Sequence, residues 1–267
     1  ELRYPNGTTA SYQYDPASRL TGLTHTTSAN AVIESLGYSY DAAGNRTSLT
    51  RVNGRASNLP AAVQAAYDAA NQQWQFGGNA QQFDANGNLT FDGTRTYVWD
   101  ALNQLERSEG GPEVTVTFAY DALGRRVSKT VGGVTTSYLY DRNDVILELS
   151  GGTVVSSYLR SLNTDEPFVR QGVLSESYHT GAIGSTAAVS NATGLTQASY
   201  TYEPFGKTTT TGTSTNSFQF TGREKAQEKG SAQEKGTRKG VGSHFWTDQV
   251  QTIWHAGLFE PDPRVIA

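Results

Sequence analysis

The side chains of this 267-residue chain that could do chemistry are few. Four histidines are present, His25, His179, His244 and His255, and only the last two lie near an acid, Asp248. A neutral imidazole titrates near neutrality and binds metals, so this trio could form an acid/base pair or part of a metal site. Two imidazoles and one carboxylate are an incomplete set, however, and the same spacing suits a surface helix with tryptophan on its buried side. The acids Asp15, Asp41, Asp84, Asp100 and Asp121 could offer oxygens to calcium, which takes about six to eight. They fall one per turn, where the turn itself needs an aspartate. No Gly-x-Ser-x-Gly elbow, no phosphate-cradling glycine-rich loop before a helix and no His-Glu-x-x-His pair is present. The chain has no cysteine, which excludes disulfides, thiolate zinc sites and a cysteine nucleophile. The sequence thus designates no catalytic residue, no metal site and no cofactor.

The residues that do recur are aromatic-acid pairs. They are Tyr14-Asp15, Tyr40-Asp41, Tyr67-Asp68, Phe83-Asp84, Trp99-Asp100, Tyr120-Asp121, Tyr140-Asp141 and Tyr202-Glu203, and the first seven stand 16 to 27 residues apart. Self-similarity of this kind marks a repeat architecture. Before most of the acids lies an aromatic-x-aromatic alternation, as in Tyr38-Ser39-Tyr40 and Phe118-Ala119-Tyr120. A period of two is the strand period and puts both rings on one face. After the acid come turn formers, as in Asp41-Ala42-Ala43-Gly44 and Asp121-Ala122-Leu123-Gly124. Aspartate bonds its own backbone further along a turn, and Gly or Asn accepts the positive φ that closes it. Each unit therefore reads as strand, tight turn, strand. A lone hairpin is marginal in water, so successive hairpins must stack and bring the aromatics into neighbouring rows. Packing is the expected role of those rings, ahead of stacking on sugars.

Composition agrees with an all-β chain. Hydrophobic residues make up 36% and there are 28 glycines, which suits half-wet strands and turns. The formal charge of −4 leaves no basic stripe for phosphates and no basic face for a bilayer, so neither nucleic acid binding nor membrane insertion is expected. No apolar run approaches the length of a membrane span. The chain starts at Glu1 and contains no methionine, as a piece of a longer protein would.

Four segments follow. Residues 1–150 carry the regular copies; around Leu59 to Gln73 a brief helical look at Pro60–Ala66 yields to the repeat at Tyr67-Asp68. Residues 151–222 change character. Residues 223–240 form a Lys/Glu/Gly-rich linker with a tandem copy, Ala226–Gly230 and Ala232–Gly236. Glycine weakens a helix by about 1 kcal/mol relative to alanine, so a solvated linker is expected there. Residues 241–267 form a tail in which Trp246, Val250, Ile253, Trp254 and Leu258 keep helical spacing, with Thr247 or Asp248 as cap.

The Tyr-Asp copies, then Tyr178-His179-Thr180-Gly181-Ala182-Ile183-Gly184-Ser185-Thr186, Tyr200-Thr201-Tyr202-Glu203-Pro204-Phe205-Gly206 and Phe218-Gln219-Phe220-Thr221-Gly222-Arg223-Glu224, resemble the RHS/YD-repeat family and its RHS repeat-associated core. The resemblance covers residues 1 to about 224. It implies a β-sheet spiralling into a hollow shell on bacterial secreted or cell-surface proteins, often around a variable C-terminal polypeptide that in many relatives is a toxin. The implied partners are the chain's own upstream repeats and its C-terminal segment. A cell-surface glycan or protein is the alternative, as in adhesion relatives, and a toxin remnant in the tail is a third. This chain has Gly181-Ala182-Ile183 where the core usually carries Asp-His-Leu, and Glu203 where it carries Asp. The Asp-Pro-x-Gly segment tied to self-cleavage in some relatives is absent, since Asp262-Pro263-Arg264-Val265 does not match it.

Overall fold

The structure is a computed structural model that describes residues 1–52, 62–112, 114–203 and 206–224. The linker beyond Glu224, the tail with its expected helix, and the His244, Asp248 and His255 trio lie outside the described residues, as do Pro60 and Ala61 of the helix-like stretch. Its remainder enters a strand at Ala65.

The strands in chain order are β1 (Leu2–Arg3), β2 (Thr9–Tyr14), β3 (Leu20–Thr26), β4 (Val32–Tyr40), β5 (Arg46–Val52), β6 (Ala65–Tyr67), β7 (Gln73–Phe76), β8 (Asn79–Ala80), β9 (Gln82–Phe83), β10 (Leu89–Phe91), β11 (Thr96–Trp99), β12 (Leu105–Glu109), β13 (Val116–Tyr120), β14 (Arg126–Val131), β15 (Val134–Asp141), β16 (Asp144–Ser150), β17 (Thr153–Arg160), β18 (Pro167–Gly172), β19 (Glu176–Thr180), β20 (Thr186–Asn191), β21 (Thr196–Tyr202) and β22 (Thr208–Gly212). Phe220–Gly222 forms a single 3-10 turn. No α-helix occurs among the described residues, so the all-β expectation is met. Within each sheet the strands pair antiparallel with their neighbours in the chain, as short turns between consecutive strands dictate, and the order breaks between β5 and β6 and between β8 and β9.

The chain divides into two compact units, one made of Glu1–Leu59 with Ser156–Ala226 and the other of Pro60–Val155. The core of the second collects Leu89, Tyr97, Leu105, Val116, Phe118 and Val131. Its largest fully buried side chain is Arg95, whose Nε donates to Ser108 Oγ (2.8 Å) and whose Nη2 donates to the carbonyls of Ser108 (3.1 Å) and Val114 (3.2 Å). In the first unit Tyr4, Ala10, Leu23, Leu36 and Tyr38 gather with Val169 of β18, and the Tyr4 ring meets Phe168 edge-on at 6.4 Å. The first aromatic is buried in the alternations at Tyr38, Tyr97, Phe118, Tyr138 and Tyr200, whereas Tyr12 is exposed; Tyr158 and Tyr178, outside any alternation, are buried as well. A ring face is a hydrophobic surface of large area, and the period-two pattern delivers one per hairpin.

Candidate functional site: the repeat turns and a buried histidine pair

One loop geometry recurs at nearly every repeat. The Asp15 amide donates to the Arg19 carbonyl at 3.0 Å, and the Ser18 amide donates back to the Asp15 carbonyl at 2.9 Å. Asp41, Asp68, Asp84, Asp100 and Asp121 repeat both bonds, and so do Thr27, Gly181, Asn191 and Glu203, which carry other side chains. The fourth residue of each loop has positive φ: Ser18, Asn30, Gly44, Asn71, Gly87, Asn103, Gly124, Gly184, Gly194 and Gly206. This is a turn followed by a left-handed residue, and it introduces a bulge into the hairpin. The ladder accordingly shifts register at the aromatic before the acid, between Gln13 and Tyr14, Ser39 and Tyr40, Val98 and Trp99, and Ala119 and Tyr120.

The aspartate holds this loop from inside. Asp121 Oδ1 accepts from the amides of Leu123 and Arg125, each at 2.9 Å, and Asp15, Asp68, Asp84 and Asp100 do the same at their second and fourth following residues. Hydrogen bonds to the charged form hold a carboxyl low. The Arg19 amide does so for Asp15, the Asn45 side chain for Asp41 and the Arg125 amide for Asp121. At Asp84 partial burial works against this, and the Asn88 side chain and amide outweigh it. Glu203 has a longer stem; its carboxylate pairs instead with Lys207 Nζ at 2.8 Å. Asp141 departs from the pattern, for it ends β15 opposite Asp144 with a two-residue turn in which Arg142 carries the positive φ.

In five of the eight pairs the aromatic reaches across to the preceding repeat. Tyr40 Oη donates to the carbonyl of Leu20 (2.6 Å), Trp99 Nε1 to Leu89 (2.8 Å), Tyr120 Oη to Leu105 (3.0 Å), Tyr140 Oη to Arg126 (2.8 Å) and Tyr202 Oη to Thr186 (2.6 Å). Each acceptor stands at the same place in its own repeat, the first strand residue after a turn that opens at 15, 84, 100, 121 or 181. Arginines strengthen two of these junctions. Arg19 pairs with Asp15 (2.6 Å), lies 5.0 Å over the Tyr40 ring and donates to the Asp41 carbonyl at 3.0 Å. Arg125 pairs with Asp121 (2.7 Å), lies 5.2 Å over Tyr140 and donates to the Arg142 carbonyl at 2.6 Å. Tyr14 and Tyr67 are exposed, and Phe83 has no polar atom to donate.

A second polar cluster, which no sequence pattern marks, sits inside the first unit. His25 and His179 meet ring to ring, Nδ1 to Nδ1 at 3.3 Å, although 154 residues separate them. His25 Nε2 faces the Thr180 carbonyl (3.0 Å), and His179 Nε2 faces Ser190 Oγ (2.9 Å). Asn6 Nδ2 donates to the same Ser190 Oγ at 2.9 Å and to the Asn191 carbonyl at 2.7 Å. Burial pulls both imidazoles down, His179 to about 3 with His25 adding repulsion. Ser190 beside His179 has the elements of a nucleophile and base, yet both are fully buried at 0% exposure, where no substrate reaches. Among the described residues no group of three or more potential metal ligands assembles.

The molecule is thus a structural repeat domain in which turns, cross-repeat phenol bonds and ring faces are shared from hairpin to hairpin. The chain matches the Teneurin YD-shell family over residues 5–222 and belongs to it. It is 32% identical over 202 residues to the tRNA nuclease WapA of Bacillus subtilis strain 168, covering 72% of this chain and 8% of the relative's length. The same identity and coverage hold against the tRNA3(Ser)-specific nuclease WapA of Bacillus spizizenii. The chain spans about 8% of the curated relatives it matches. In fold it is similar to the Photorhabdus luminescens Tc holotoxin pore, with a TM-score of 0.55 at 15% identity over 84% of this chain and 16% of that one. Among the described residues no helix is long and apolar enough to cross a membrane.

Proposed function

We propose that this chain is a stretch of shell wall from a longer secreted or cell-surface protein, and that the shell encloses or presents a C-terminal polypeptide of the toxin type. The observation that carries the reading is the recurrent junction between repeats, made at Tyr40, Trp99, Tyr120, Tyr140 and Tyr202. A turn, a carboxylate inside it and a phenol bonded across to the previous repeat form a module that can be extended without limit, which is what an enclosing wall needs. The nuclease names borne by the relatives support a toxin as the enclosed cargo, since the stretch matched here is only 8% of their length. In this reading residues 1–150 are YD-repeat wall, 151–222 the associated core, 223–240 a linker and 241–267 the variable tail. The wall's partners are then its neighbouring repeats and that tail.

Limited proteolysis followed by mass spectrometry tests the reading. Protection of Lys225 to Lys239 together with the β-core is the expected result for an enclosed tail. Rapid loss of everything after Arg223 around a resistant core overturns enclosure. A second reading, adhesion to a glycan, is favoured by the exposed aromatics Tyr67, Trp74 and Phe76 on one small sheet. A flat glycan-array profile removes it.

A further inference from the structure

The hydrogen-bond chain through the buried histidines has one consistent set of protons. A carbonyl only accepts, so the Thr180 oxygen requires a proton on His25 Nε2, leaving His25 Nδ1 as an acceptor. His179 must then carry its proton on Nδ1 and accept at Nε2, and Ser190 must donate to it while accepting from Asn6. Every site in this relay is filled by two neutral imidazoles. A proton added to His25 sets two N–H groups face to face across the 3.3 Å contact, unless His179 shifts its own proton to Nε2, and then the Ser190 hydroxyl loses its acceptor and must turn away. A proton added to His179 Nε2 faces Ser190 and displaces the hydroxyl proton it receives. Two such protons would place cations in rings whose centroids are 5.0 Å apart, away from water.

Two acids stand near the pair: Glu34 beside His25, and Glu166, whose charge reaches the Tyr4 phenol that packs on His179 and whose carboxylate accepts from Asn163 Nδ2 at 2.9 Å. Across the ladder His25 stands opposite Ala10 of β2 and Glu34 of β4. Glu34 is already committed to Arg51 at 2.7 Å. His179 stands opposite Ala188 of β20, and the Tyr4 ring meets it edge-on at 5.4 Å, with the Tyr4 phenol itself pushed up by burial. The contact joins β3 to β19 and β20, segments far apart in the chain.

We propose that the His25–His179 contact is an acid-sensitive latch, which holds β3 against β19 and β20 at neutral pH and lets them part on acidification. A histidine kept neutral in the folded state and free to protonate when exposed costs nothing above about pH 6.5, its ordinary value. Below that pH the open state gains protons that the closed state refuses, so stability falls as pH falls. At pH 5 His179, held near 3, shifts the open-closed equilibrium by about 30-fold, and His25, lowered by burial, adds to the shift in the same direction. Histidines with the same pKa in both states add no slope, and the turn aspartates act only below about pH 4.

The test is denaturant unfolding of the whole chain from pH 7.5 to 5.0, with hydrogen exchange at β19 and β20. The expected result is a steep loss of protection in the native chain and a shallower slope on a logarithmic scale in His25→Gln and His179→Gln. Equal slopes in the native chain and both variants overturn the latch. Should the variants fail to fold, imidazole titration by NMR on the native chain decides. Ring signals of His25 and His179 that stay neutral at pH 5.5 while the fold persists support it, and ordinary titration near 6.5 in an intact fold overturns it.

Discussion

Replacing Tyr202 by phenylalanine removes one oxygen and nothing else from a junction between repeats. The Oη donates to the Thr186 carbonyl at 2.6 Å, and Thr186 itself is fully buried at the start of β20. Tyr202 is half-buried, and burial drives its phenol far above its ordinary pKa. A neutral hydrogen bond contributes about 1 kcal/mol net, and a carbonyl left without its donor adds a desolvation cost of similar size, so about 2 kcal/mol is expected. For a chain of this length that corresponds to a drop of roughly 4–8 °C in Tm. Tyr14→Phe is the matched control, because Tyr14 is 61% exposed; its expected effect is within about 0.5 kcal/mol of zero. Thermal unfolding gives the magnitude, and hydrogen exchange at β20 shows whether the loss is local. If the two variants behave alike, or if β20 exchange is unchanged in Tyr202→Phe, cross-repeat phenol bonds do not hold the repeats together.

Other outcomes follow from the same contacts. The Arg170–Glu176 ion pair is buried at 2.8 Å, so Glu176→Gln should cost about 3 kcal/mol in urea titrations, whereas a double apolar replacement recovers much of it. Gly222 has φ +73, and an added Cβ would lie 1.8 Å from the Asp165 carbonyl oxygen, so Gly222→Ala should destabilise by at least about 2 kcal/mol and loosen the Arg223–Asp165 pair, read as faster cleavage by trypsin at Arg223. The carboxyls of Asp15, Asp41, Asp84 and Asp121 sit below their ordinary value when folded, so their contribution is complete above about pH 4 and fades as pH falls through the lower folded values; carboxyl NMR titration should place all four below free aspartate.

The hairpin and its period are written in the residues of a single repeat. Aromatic-x-aromatic followed by aspartate and a residue tolerant of positive φ is a local instruction: the strand face, the bulge at Tyr40 or Tyr120 and the turn after Asp41 or Asp121 need only residues within one repeat. Asp141 obeys a shorter variant of the rule, since Arg142 and Asn143 close a two-residue turn and the acid stays in the strand. The loops at Thr27, Gly181 and Asn191 carry no aspartate to mark them: Asn191 Oδ1 accepts from the Thr193 and Leu195 amides in its place, Thr27 Oγ1 accepts from the Ala31 amide, and at Gly181 the backbone bonds suffice. What the tertiary structure decided is whatever joins distant segments. That Tyr202 donates to Thr186, that Val169 shares a core with Leu23 and Leu36, and that His25 meets His179 all depend on how strands far apart in sequence come together. No periodicity encodes these partners, since a histidine at position 25 has the same neighbours in sequence whether or not another imidazole arrives from position 179. Burial of an unsatisfied polar group is costly, so only the assembled fold selects which of them find a partner.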